Sequence, residues 1–329
     1  MELRGDIIRE FLRERNLTRS GTKPELRQRI EQHIEEGKLT YTELVNFIDR
    51  FAPLGKQHVY LYDGPENEVS QWRDEKYVRE IIENNGLIEL LISELPLILP
   101  QELTISTIEY HSSSEFKIYA VQKREGYERK PEYDTTTTRD NREILLKAYE
   151  HIVTRLVVIF RWNLVANTAT LQISQLPSSQ KYEDVEIQFS QLVENWLNFS
   201  AFEKVSLRRT INKLFELERD GSPEARSHNF SFLSPGGRKV DARSPTPDDS
   251  VFGEELIDNA MNYVEKNGVG NLGNFYWLPN YVNPNNNNPL TSEVHTIIVG
   301  KHNRINFTTN NRQEDIEYVL SRVRILSQQ

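Results

Sequence analysis

The sequence predicts an α+β fold: a small helical unit, then a body of mostly antiparallel sheet with its helices in separate blocks. Three observations carry that expectation. Stretches alternating at period two come in adjacent pairs joined by short polar turns, the pattern of hairpins. Helical stretches fall in blocks between those pairs, without the strand–helix rhythm of a doubly wound parallel sheet. The first 38 residues hold helical spacing and no β pattern.

In those first residues Leu3, Ile7, Ile8, Phe11 and Leu12 form one apolar stripe along a first helix whose other faces are charged. Asn16 to Gly21 break it. Thr22, followed by Pro24 and Glu25, then reads as a capping box with proline in the first turn, where its missing N–H costs nothing. Leu26, Ile30 and Ile34 stripe the second helix, and Gly37 suits the left-handed residue that stops it. The two helices share one apolar seam.

Through Leu12, Arg15, Leu17, Ser20, Gly21, Lys23, Leu26, Arg29 and Ile30, residues 3–38 resemble the SAP module, a small helix-turn-helix-like DNA-binding motif. Asn16 stands where that family most often carries glycine, and asparagine is the next best residue for positive φ. The resemblance implies contact with duplex DNA, with a preference for A·T-rich sequence read through groove shape. Start-of-helix N–H groups and the cations beside them receive phosphate well, so Arg19, Ser20, Gly21, Thr22, Lys23 and Arg27 are the candidate contacts. Glu10, Glu14, Glu25 and Glu31 are interleaved with these cations, and a merely solvated helix face would look the same.

Further along, Thr40 and Glu43 form another capping box, and Leu44, Phe47, Ile48 and Phe51 stripe a third helix that Pro53 and Gly55 break. Residues 39–57 therefore read as this helix with a linker. His58 to Tyr62 is β-branched and aromatic and opens the body as a strand. Asp74 to Ser93 reads as helix interrupted at Asn84 to Gly86, and the stretch from Glu102 to Arg124 as a hairpin about a serine-rich turn. Glu125 to Asp140 is polar and predicts a loop, while Ile144 to Ile152 fits helix or strand. Arg155 to Asn163 with Thr168 to Ser174 gives the clearest hairpin, and Tyr182 to Glu218 reads as helix ended at Gly221. Phe230 to Leu233 and Lys239 to Ala242 form a strand pair about Pro235 to Gly237, followed by a helix from Phe252 to Glu265. Asn267 to Pro289, rich in Gly and Asn, predicts a loop. Strands Glu293 to Gly300 and Arg304 to Thr309 and a helix Gln313 to Leu326 close the chain. The expected units are thus 1–38, 39–57, 58–225, and 226–329 as a C-terminal α+β domain or a continuation of the body.

The net charge of −9 confines any nucleic-acid contact to a local patch. With no cysteine, disulfides, thiolate metal sites and cysteine nucleophiles are excluded. No apolar run approaches membrane-spanning length, so the sequence predicts a soluble intracellular protein without a membrane partner: cytoplasmic, with the nucleoid or nucleus as alternatives.

No catalytic motif stands out and no cofactor is called for. Glu115 and Lys117 supply the E-x-K of a restriction-type metal site, but the upstream Asp is absent. His295 and His302 flank the last hairpin without a third ligand, Ser234 to Lys239 lacks P-loop spacing, and Gly268, Gly270 and Gly273 precede a strand-like run where a pyrophosphate site needs a helix. On the body, Arg208, Arg209 and Lys213 are further candidate DNA contacts. Arg155, Arg161, Lys301, Arg304 and Arg312, with Trp277 and Tyr281 as aromatic platforms, could extend them into a basic groove. The expected function is DNA binding through the helical pair, with a body that binds a protein partner or further nucleic acid. Alternatives are an Mg²⁺-dependent nuclease or other DNA-processing enzyme, and an interaction scaffold without DNA.

Overall fold

The structure is a computed structural model that describes residues 5–44, 47, 55–91, 99–111, 113–177, 180–221, 223–234, 236–267, 269–281 and 288–328. At the N-terminus, α1 (Gly5–Glu14) and α2 (Lys23–Glu35) pack together, and residues 41–44 begin a third helix. Ile8, Phe11, Leu12, Leu26, Ile30, Leu39 and Phe47 form one buried cluster, all of it drawn from this segment. Leu3, Ile48 and Phe51 lie outside the described residues, as does the side chain of Ile7. Asn16 takes φ +55 and Gly37 φ +68, the left-handed turns their residue types suit.

The body is built on β1 (Gln57–Asp63), whose residues 57–62 are all buried. It pairs antiparallel with β13 (Arg304–Phe307) on one side and β7 (Thr168–Ser174) on the other. Outward from β7 run β6 (Tyr149–Asn163), β3 (Glu115–Arg129) and β2 (Thr104–His111). Outward from β13 run β12 (Val294–Val299), β11 (Val269–Trp277), β9 (Ala225–Leu233) and β10 (Lys239–Arg243). A two-residue strand, β8 (Glu203–Lys204), also pairs with β1, and every pairing is antiparallel.

Two faces of this sheet are covered, which explains why β1 is apolar without alternation. Val59 and Leu61 join the core beneath two helices here numbered α6 (Arg208–Arg219) and α8 (Gln313–Gln328). Tyr60 and Tyr62 join the opposite core, roofed by α3 (Val69–Trp72), α4 (Glu75–Asn84) and α5 (Tyr182–Val193). The remaining helix, α7 (Glu255–Asn267), sets Ile257 against the first core.

Three expectations need correction, and the stretch Ile144 to Ile152, which fitted helix or strand, is strand on both sides of a break at residues 147–148. The stretch Glu125 to Asp140 is not a loop: β3 runs on to Arg129, a tight turn spans Pro131–Tyr133, and β4 (Thr135–Arg139) pairs with β5 (Arg142–Leu146). Cross-strand pairs such as Tyr127 with His151 hold residues whose charges hid the period-two pattern. The helix expected from Tyr182 to Glu218 is two, because Phe199 and Phe202 turn into the core and Glu203 and Lys204 pair with β1. Residues 269–277, within the expected loop, form β11, while 282–287 lie outside the described residues.

Candidate nucleic-acid interface

Around the turn between α1 and α2, the chain is fixed by contacts that leave its cations outside. Gly21 has φ +120, a conformation that side chains with a Cβ rarely adopt, so the turn favours glycine there. Arg9 donates from its guanidinium to the Gly21 carbonyl at 3.0 Å, tying α1 to the turn. Thr22 donates its backbone N–H and its hydroxyl to the Glu25 carboxylate, at 2.6 and 2.9 Å. Those bonds hold the Glu25 carboxyl below its usual range, so a fixed negative charge occupies the helix start.

That charge changes the expected chemistry. The N–H of Thr22 is spent on Glu25, and Pro24 has none, so the backbone at the helix start receives phosphate less well than the sequence implied. Reception falls to side chains. Arg19 and Arg27 are exposed and Lys23 is half-buried. Arg19 and Ser20 also line a hollow of about 470 Å³ together with Arg9, Glu10 and Arg13 of α1. The apolar stripe of α1 does not single out Arg9 and Arg13; the signal for them is its polar face, two turns of Arg and Glu. Arg13 is paired with Glu10 at 2.7 Å, which leaves Arg9, Arg13 and Arg19 against one carboxylate in that hollow.

Arg15, another residue of the motif, is structural. Its guanidinium lies 4.0 Å over the Phe11 ring and within 3.8 Å of Glu43. The Glu43 carboxylate accepts from the N–H and hydroxyl of Thr40, and the Thr40 hydroxyl accepts from the Glu43 N–H, the reciprocal box expected there. Residues 5–38 together carry eight Lys or Arg and seven Asp or Glu, so affinity here depends on local arrangement and not on net charge.

On the body the candidates separate. Arg208 and Arg209 are exposed at the start of α6, whose buried residues Ile211, Leu214 and Phe215 face the sheet. Lys213, on the same helix, is engaged with Glu216 at 2.9 Å. Three cations of the wider basic groove are already held by carboxylates. Arg161 is bonded to Glu115 and to Glu317, Arg304 to Glu183 at 3.2 Å, and Arg312 to Asp315 at 2.5 Å. Trp277 is not an aromatic platform: it is fully buried, donating its indole N–H to Thr296 at 2.8 Å.

The E-x-K residues are likewise committed to ion pairs. Lys117 lies 2.7 Å from one Glu115 oxygen and Arg161 bonds the other, and these partners hold the Glu115 carboxyl below its usual range in spite of its burial. His295 bonds Asn274 and Thr308, whereas His302 pairs with Glu183 at 3.0 Å, so the two do not share a site. Among the described residues no group of three His, Asp or Glu could hold a metal ion, and no helix is long and apolar enough to cross a membrane.

The family model of the SAP domain matches residues 8–35, which identifies the helical pair as a nucleic-acid-binding module and covers under a tenth of the 329 residues. No curated protein matches the chain.

Proposed function

We propose that the chain binds duplex DNA through its N-terminal SAP module and that the sheet body, as a separate unit from residue 58 onward, carries a partner-binding role. The observation that carries this reading is the hollow in which Arg19 and Ser20 meet Arg9 and Arg13, on the segment that matches the SAP domain and whose next helix opens with Lys23 and the exposed Arg27. Side-chain cations from a turn and two helices present donors to the phosphates of a duplex backbone, which positions the module without a base code. A preference for A·T-rich sequence would then arise from groove shape and the charge concentrated in narrow grooves. Arg208 and Arg209, exposed and without ion pairs among the described residues, are secondary DNA contacts in this reading.

Titration of labelled A·T-rich and G·C-rich duplexes with the full chain, and with a chain lacking residues 1–38, tests the assignment. Affinity lost with the truncation supports it. Affinity retained in a folded truncated chain moves the DNA site to the body and contradicts it.

A further inference from the structure

β3 and β6 run well past their neighbours. β2 stays beside β3 only as far as Val121, and β7 stays beside β6 only to Val158. Pro100 and Gln101 accept bonds from Lys123 and Gln122, after which β3 and β6 pair with each other alone, from Arg124 opposite Thr154 to Arg129 opposite Tyr149. Six such rungs project about 20 Å at the usual rise of a strand. The distal end is built, not loose. Asp134 accepts from Arg129 and from the Ala148 N–H, Lys130 donates its N–H to the Ala148 carbonyl at 3.1 Å, and β4 with β5 forms a separate two-stranded tip.

Two properties make this arm unusual as a free surface. Seven of the fourteen large apolar side chains exposed among the described residues lie on it. Tyr127, Tyr149 and Val153 share one face of the ribbon, and Ile144, Leu145 and Leu146 follow at the tip. Both outer edges of the β4–β5 pair are also unpaired among the described residues. A lone two-stranded ribbon is marginal in water, and an open apolar edge invites another strand.

Charge selects the occupant. Residues 122–155 hold eight Lys or Arg and seven Asp or Glu, within a chain of net charge −9. On the ribbon Lys123 pairs with Glu125, Arg129 with Asp134, and Lys130 with Glu128 and Glu150, an arrangement that leaves these cations little attraction for phosphate and disfavours nucleic acid. It is also a surface on which two otherwise acidic copies can approach without strong repulsion. Antiparallel pairing of β4 with its own copy about Thr137 would set Thr136 opposite Thr138 and Thr135 opposite Arg139. Pairing of β5 about Ile144 would set Glu143 opposite Leu145 and Arg142 opposite Leu146. Neither opposes like charges, and both satisfy the open edge with one two-fold contact.

We propose that the arm is a homodimer interface, occupied by the arm of a second copy of this chain. The dimer would carry two N-terminal modules and bind a duplex bearing two sites with avidity that neither module has alone.

Sedimentation equilibrium of the full chain tests this, on the wild type, on the double variant L145E/L146K and on a chain whose residues 131–147 are replaced by a short turn. Leu145 and Leu146 are 58% and 51% exposed, so the double variant leaves the packed core intact. The expected result is a wild-type mass of twice 38.5 kDa, with the dissociation constant raised at least tenfold in both variants and, at concentrations where every form is monomeric, an L145E/L146K melting temperature equal to that of the wild type. A wild-type mass of one chain across the micromolar range would overturn the proposal. So would a dimer that both variants leave equally tight.

Discussion

Replacing Leu26 by alanine removes the centre of the N-terminal seam. Leu26 is fully buried, in one cluster with Ile8, Phe11, Leu12 and Ile30, to which Leu39 and Phe47 add, so that among the described residues the cluster comes from positions 8 to 47 alone. A Leu→Ala change in such a position costs about 2–5 kcal/mol, from lost transfer energy and the cavity left behind. A core of this size contributes only a few kcal/mol in total, so L26A should leave the helical pair largely unfolded at ordinary temperature. The body has its own two cores, on the two faces of the sheet. Amide hydrogen exchange resolved by peptide should therefore show protection lost across residues 8–35 by about thirtyfold or more, and protection in β1 and β7 unchanged. Duplex affinity should fall to that of the chain lacking residues 1–38. Retention of protection within a few-fold across α2 would show that the helical pair has support beyond this seam. Loss of protection in β1 would refute its independence from the body.

Two further outcomes concern the body. Burial, and next the Arg304 charge, push the His58 imidazole down from 6.5 to about 3, so His58 contributes nothing to pH dependence above 6.5 and progressively destabilises the fold as the pH falls from 6.5 toward 3. At about 1.4 kcal/mol per pH unit, the stability of the wild type relative to H58Q should decline by roughly 3 kcal/mol between pH 7 and pH 4. Denaturant titrations of both at several pH values measure it, and a difference that does not move with pH would contradict the assignment. Glu224 and Arg322 form a buried ion pair, with one bond at 2.8 Å. E224A, which strands the guanidinium, should cost about 3–5 kcal/mol, while E224L combined with R322M should recover most of that; a single-variant cost below 1 kcal/mol would show that solvent reaches Arg322.

The hairpins and the capping boxes were legible because turn residues and hydroxyl–carboxylate spacing are local signals. Thr22 with Glu25 and Thr40 with Glu43 bond as their spacing implied. What was missed depended on tertiary contact. Gly270 and Gly273 made β11 resemble a loop, yet a Cβ on Gly270 would lie 2.9 Å from Ile211 of α6, and one on Gly273 would strike the Phe275 ring. Their small size admits a helix and an aromatic ring, not a turn. The split of the long helix came from Phe199 and Phe202, which no glycine or proline announces. Trp277 and the cations of the supposed groove were chosen by residue type, and only the folded chain shows that an indole is buried or that an arginine is already bonded to a carboxylate. At the interface, the turn and its cations were readable, but the contribution of Arg9 and Arg13 required the packing of α1 against residues 19–21.

The salt dependence of duplex binding by the full chain, compared with the K23A/R27A variant, decides whether the start of α2 holds the duplex. Each neutralised phosphate on B-form DNA contributes about −0.9 to the slope of log affinity against log salt. Loss of the contacts from Lys23 and Arg27 predicts a slope about 2 smaller in magnitude in the variant than in the wild type, with equal loss on all sequences. A slope that the two substitutions leave unchanged would contradict the assignment of the duplex to the start of α2.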